Sequence, residues 1–190
     1  MKGVIFDLLD EIVSQKYGPR MWGEIIDAAG VEGAYTSLGN YPDEEFFRIV
    51  AAAAAGLGMS EDEVVRWLGR QSIPIFAERY PAFFDGHSST RTFLLTLEDI
   101  IHPEVRRLYP GADVPSFTFD TSSDDVLVMS YRSERQLCWF GEGLIEGAAE
   151  NFREIADIKQ TKCTRRGDEE CVYEVALTSS GGPDGARPGQ

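Results

Sequence analysis

The spacing of apolar residues changes partway along the chain, and that change constrains the fold more than any other feature. Up to Leu108 the apolar residues recur at helical intervals; beyond Tyr109-Pro110-Gly111 they come in short alternating runs. Pro42-Asp43-Glu44-Glu45 opens a helix with acids in its first turn, and Ala51 to Ala55 carry it to Gly56 and Gly58. Ser60-Glu61-Asp62-Glu63 is a capping box followed by Val64, Val65, Trp67 and Leu68. A separate helical run, Ile73 to Tyr80, stops at Pro81, and Asp85-Gly86 is a turn. Thr90 to Ile101 is apolar at helical spacing through Phe93, Leu94, Leu97 and Ile101. Pro103 disfavours helical geometry at His102, so a helix ends there and restarts with Pro103 as its first residue. In the second part, 116–121 and 126–131 read as strands around Ser122-Ser123-Asp124-Asp125, and 135–152 as a helix. Segments 155–163 and 171–177 read as a hairpin around Arg166-Gly167-Asp168. The pattern predicts an α+β fold: a helical N-terminal part, then an antiparallel sheet with helices. Residues 178–190 are Ser, Gly, Pro and charge, and are expected to be disordered.

Composition excludes several classes of function. The net charge is -14, which disfavours nucleic acid and anionic membrane surfaces as partners. No apolar run reaches the roughly 18 residues of a membrane span, and the start lacks a signal-peptide core, so a cytoplasmic protein is expected. There is no P-loop, no G-x-G-x-x-G after a strand and no H-E-x-x-H, and Gly141-Glu142-Gly143 holds no nucleophile. An enzyme is not expected.

Three groups of residues could carry chemistry. Tyr131, Ser133 and Arg135 alternate at a strand end, where they either point to solvent or converge as donors on one polyanion. His102 follows Ile100-Ile101 and is either a core histidine or an axial ligand to heme iron; His87 sits among Gly and Ser by a turn and reads as surface. Cys138, Cys163 and Cys171 are spaced C-x24-C-x7-C, which is not a zinc-finger spacing. Cys163 and Cys171 flank the predicted hairpin and could face each other, but no fourth His or Cys lies near in sequence. Unlinked thiols and an incomplete metal site both stay open.

With these residues in place the chain resembles the heme nitric oxide/oxygen-binding (H-NOX) family, bacterial relatives of the heme domain of soluble guanylate cyclase. The resemblance rests on Met1-Lys2-Gly3, Lys16-Tyr17-Gly18, Gly69-Arg70-Gln71 and Leu144-Ile145-Glu146-Gly147. It rests above all on His102 with Tyr109-Pro110-Gly111-x-x-x-Pro115-Ser116-Phe117 and Tyr131-x-Ser133-x-Arg135. It runs from Met1 to about Leu177. It implies one heme domain over 1–177, with a helical subdomain of about 1–65, a heme-holding α/β subdomain of about 66–177, and the heme between them.

The resemblance also implies site residues. His102 would be the proximal ligand of a non-covalent heme b, since no C-x-x-C-H is present for covalent attachment. Tyr131, Ser133 and Arg135 would hold the propionates, Asp43 would pair with Arg135, and Pro115 would press on the porphyrin. On the gas-binding side it expects Ile5, Leu9, Phe76, Phe140 and Leu144, with Ser72 as the one polar candidate. Phe140 stands where oxygen-binding members carry a tyrosine, so the pocket is expected to favour NO and CO and to exclude stable O2. NO would weaken the bond to His102, and the helical part would then shift against the rest. A separate partner, a histidine kinase or a cyclic-di-GMP enzyme, would read that shift. Some members hold structural zinc through three Cys and one His; here the Cys positions are Cys138, Cys163 and Cys171, and the His position is Gln160. The alternatives are a heme-free small-molecule or protein-interaction domain, and a thiol or zinc redox sensor.

Overall fold

The computed structural model describes residues 1–180. Four long helices come first: α1 Gly3–Tyr17, α2 Pro19–Ala29, α3 Asp43–Leu57 and α4 Glu61–Arg79. Short α5 Thr90–Leu94, a π-helical turn Leu97–Ile101 and α6 His102–Leu108 follow. Strands β1 Ser116–Asp120 and β2 Val126–Arg132 lead into α7 Cys138–Asn151, then β3 Glu154–Lys162 and β4 Cys171–Ser179. The strands form one antiparallel sheet in the order β1-β2-β4-β3. The α+β expectation matches this architecture.

The capping box begins α4 as its residues require. Ser60 Oγ accepts the Glu63 N–H at 3.2 Å, and the Glu63 carboxylate accepts the Ser60 N–H at 2.7 Å. The separate run expected from Ile73 to Tyr80 is not separate: α4 continues through Pro74 to Arg79. Pro74 has no N–H to give the Arg70 carbonyl. Packing from α7 outweighs that loss, because a helix takes most of its stability from its buried face. The His102–Pro103 junction differs from expectation: His102 is itself helical, with φ -64° and ψ -39°, and the π-helical turn runs into α6 without a break, because Pro103 falls in the first turn of α6, where a missing N–H costs little.

The core has two lobes, and α4 belongs to both. Phe6, Leu8, Leu9, Ile12 and Val13 of α1 pack with Phe46, Ile49 and Val50 of α3 and with Val64, Val65 and Leu68 of α4. Leu127, Met129 and Tyr131 of β2 alternate inward beside Tyr173 and Val175 of β4, against Ile145 and Ala148 of α7, and Ile73 of α4 joins them. A boundary at residues 65 and 66 therefore falls inside one continuous helix.

Glycines let α4 and α7 cross closely. A Cβ on Gly143 would lie 1.9 Å from the Arg66 carbonyl oxygen, and one on Gly147 would lie 2.5 Å from that of Arg70. Arg66 of α4 reaches across to Glu142 at 3.1 Å and to Glu146, pairing the carboxylate of Glu142 inside the interface. Two boundaries differ from expectation. The helix expected from residue 135 begins at Cys138, because Gln136 adopts a left-handed φ of 51°. Of the segment expected to be disordered, Thr178 and Ser179 extend β4 opposite Ile155 and Glu154, and residues 181–190 lie outside the described residues.

Candidate cofactor cavity

A cavity of about 290 Å³ lies between the two lobes, near the lower end of the ~300–1,000 Å³ of small-molecule sites. Its lining brings together residues far apart in sequence: Ile5 of α1, Phe76 of α4, His102 of α6, Tyr131 of β2, and Phe140 and Leu144 of α7. Pro115, Ser133 and Arg135 also line it.

His102 is 8% exposed. Burial pushes the imidazole below its ordinary range, against the pull of Glu98, so the ring is neutral near pH 7. Its Nδ1 has no hydrogen-bond partner among the described residues; Glu98 Oε2 lies at 3.8 Å. Glu98 instead accepts the Phe117 N–H at 2.9 Å, and the Phe117 ring lies 5.5 Å from the imidazole. A neutral histidine at a cavity wall, directly after a π-helical turn, suits metal ligation.

The polar groups gather where β2 passes to α7. Arg135 donates through Nε to Asp43 Oδ2 at 2.9 Å and through Nη1 to the Asp113 carbonyl and carboxylate, both at 2.8 Å. Asp43 also receives the Met1 ammonium at 2.5 Å. Burial works to raise the Asp43 carboxyl, but the bonds from Met1 and Arg135 outweigh it and hold the carboxyl low. Ser133 Oγ accepts the Arg135 N–H at 3.3 Å. Tyr131 is buried and faces Ser133, and burial raises its hydroxyl to about 12, so it stays a donor. Asp43 thus pairs with Arg135, while the second acid, Asp113, carries no sequence pattern that marks it.

Most of the remaining wall is apolar. Ile5, Phe76, Phe140 and Leu144 line it as expected, but Leu9 does not. One turn beyond Ile5 on α1, Leu9 is fully buried in the helical lobe. Ser72 is not among the lining residues either, and its hydroxyl donates to the Leu68 carbonyl at 2.7 Å. Sequence reasoning missed Tyr80 and Tyr109, which line the cavity and share a hydroxyl–hydroxyl bond at 2.5 Å. Tyr109 lies in the Tyr-Pro-Gly turn, but nothing in the sequence pairs it with Tyr80.

A second cluster lies under the start of α7. The sulfurs of Cys138, Cys163 and Cys171 are all buried and lie within 4.8 Å of one another, with Cys138 and Cys163 at 3.7 Å. Gln160 completes the surroundings. Arg166 Nη1 approaches its Oε1 at 3.5 Å, while its Nε2 is buried without a partner beside Cys138 and Tyr173. An amide nitrogen has given its lone pair to the carbonyl and does not ligate a metal. The residues present do not make a four-ligand zinc site.

A two-lobed α+β fold enclosing an apolar, histidine-walled cavity with an arginine at its rim defines a cofactor-binding sensor class. A family model described as "Haem-NO-binding" matches residues 2–160, and the chain belongs to this H-NOX family of heme-based gas sensors. The fold is similar to that of an H-NOX protein from S. oneidensis in its Fe(II)NO state. That likeness has a TM-score of 0.87 and 28% identity, over 94% of this chain and 100% of that one. It is also similar to an Fe(II) unliganded H-NOX protein from K. algicida, with a TM-score of 0.83, 29% identity, and 94% and 97% of the two chains covered. An I5F mutant of the T. tengcongensis H-NOX matches with a TM-score of 0.82 and 25% identity, over 94% and 98%.

Proposed function

We propose that this chain binds NO and CO at a ferrous heme b, excludes stable O2 and passes its state to a separate signalling protein. The observation that carries the reading is the contrast inside one cavity: a buried neutral histidine at one wall and an apolar wall of Ile5, Phe76, Phe140 and Leu144. Heme, when bound, would supply an iron able to bind an imidazole nitrogen and a diatomic gas, and His102 would hold it.

The chain's own residues divide the remaining tasks. His102 presents a neutral imidazole, held so by burial. Arg135, Ser133 and Tyr131 offer donors to the two propionates at the rim, and Pro115 stiffens the lining beside His102. Phe140 and Leu144 give shape without a donor, and Ser72 spends its hydroxyl on the backbone. A ligand with charge on its outer atom gains nothing from such a wall, whereas NO and CO do not depend on a donor.

Signalling follows from where the lobes are joined. Arg135 of the sheet lobe is tied to Asp43 of the helical lobe, and the α4–α7 crossing links the two a second time. Any shift of His102 or the rim acts on those ties, and it biases a two-state equilibrium only by the ligand's differential affinity. A histidine kinase or a cyclic-di-GMP enzyme would be the reader. Ferrous absorption spectra under NO, CO and air test the reading. Soret shifts with NO and CO, and none with air before oxidation, are expected; a stable oxygenated spectrum would overturn the exclusion of O2.

A further inference from the structure

We infer that Cys138, Cys163 and Cys171 form a three-coordinate thiolate site for a soft monovalent ion, Cu(I), in place of four-coordinate zinc. The three sulfurs come from separate elements: the first residue of α7, the residue after β3 and the first residue of β4. Three ligands about 2.3 Å from a central ion in one plane have sulfurs about 4 Å apart. The cluster meets that spacing, with all sulfurs within 4.8 Å and one pair at 3.7 Å.

What surrounds the sulfurs decides between ions. Gln160 stands beside Cys138, its oxygen turned to Arg166 and its buried Nε2 without a partner among the described residues. That group can donate to a thiolate but cannot ligate. The Thr164 N–H lies 3.4 Å from Cys171 Sγ and the Thr164 hydroxyl 3.5 Å. The Arg165 guanidinium lies near Cys138 and Cys163 but is already paired with Asp62. The Thr164 N–H and the Gln160 amide offset part of the negative charge of a buried trithiolate. Zinc in a structural site asks for a fourth ligand, and soft thiolates suit Cu(I), which is content with three. On binding, each ligating thiol releases its proton to solvent, and no atom changes oxidation state.

The test uses the heme-loaded chain, reduced and under argon. Cu(I) is titrated against a chromophoric Cu(I) chelator, zinc against a colorimetric zinc chelator, and Co(II) serves as the reporter of tetrahedral geometry. One Cu(I) per chain drawn from the chelator, with no tetrahedral Co(II) spectrum, is expected. Cys163→Ser should weaken Cu(I) binding by at least about a hundredfold, with the Soret band unchanged. Gln160→His supplies the missing ligand. It should raise zinc affinity at least about tenfold while leaving Cu(I) nearly unchanged, a gain that misfolding cannot imitate. Stoichiometric tetrahedral Co(II) or zinc in the unaltered chain would overturn the inference. So would three thiols that stay free in the presence of Cu(I), or a Gln160→His variant with no gain in zinc affinity. Heme binding and the gas spectra are read separately, so failure here leaves the sensor reading standing.

Discussion

The rim of the cavity and its apolar wall are built on opposite principles. The rim ties Arg135, Asp43, Asp113 and the Met1 ammonium into one charged network, and each group has partners within 3 Å. The wall beside it offers only carbon: Ile5, Phe76, Phe140 and Leu144. Under the proposed function, holding the cofactor and choosing its ligand would be separable tasks. Charge and hydrogen bonds would fix where the cofactor sits, and the lack of a donor on this wall would decide what it binds.

Removing the histidine breaks the contrast most completely. His102→Ala is expected to lose nearly all heme from the purified chain, read as the Soret-to-protein absorbance ratio, with recovery when imidazole is supplied. Retention of heme without imidazole would remove His102 from its role. Phe140→Tyr makes the wall resemble the rim by adding one donor. A hydrogen bond to a charged acceptor contributes about 1.5 to 3 kcal/mol, so O2 affinity is expected to rise roughly tenfold to hundredfold. No change in the air spectrum would show that the hydroxyl does not reach the ligand. Gly143→Ala tests the frame behind the wall. Its Cβ would meet the Arg66 carbonyl, and the chain should lose about 1 to 3 kcal/mol in urea unfolding. An unchanged midpoint would mean that α4 and α7 part without cost.

The smallest effect concerns pH. Burial lowers the His102 pKa in the folded chain, so the unfolded chain takes up that proton first. Stability from this group is complete above the ordinary imidazole value of about 6.5 and falls as pH drops below it. In the heme-free chain, His102→Gln should flatten the slope of urea stability between about pH 5 and 6.5. An unaltered slope would assign it to other groups.

Much of this was legible in the sequence because it is local. The capping box at Ser60 and the alternation in β2 each depend on residues within a few positions. His102 and the Tyr131-x-Ser133-x-Arg135 stretch could be read for the same reason. What stayed hidden depends on tertiary contact. Ile73 to Tyr80 reads as a run of its own, yet α4, packed on α7, continues through Pro74. Leu9 shares the helical phase of Ile5 but lies a turn deeper, and phase alone cannot give depth. Asp113 and the Tyr80–Tyr109 pair carry no periodic signal, because their partners arrive from distant elements.

Helix α7 has consequences for how such a chain can change over generations. Within a few turns it supplies a thiol at Cys138, the cavity-lining Phe140 and Leu144, and the close seat for α4 at Gly143 and Gly147. A substitution that retunes one of these is inherited together with its effects on the others. Under the proposed function, drift in ligand preference would be channelled toward positions such as Phe140, whose side chain can be exchanged without moving the backbone that its neighbours share.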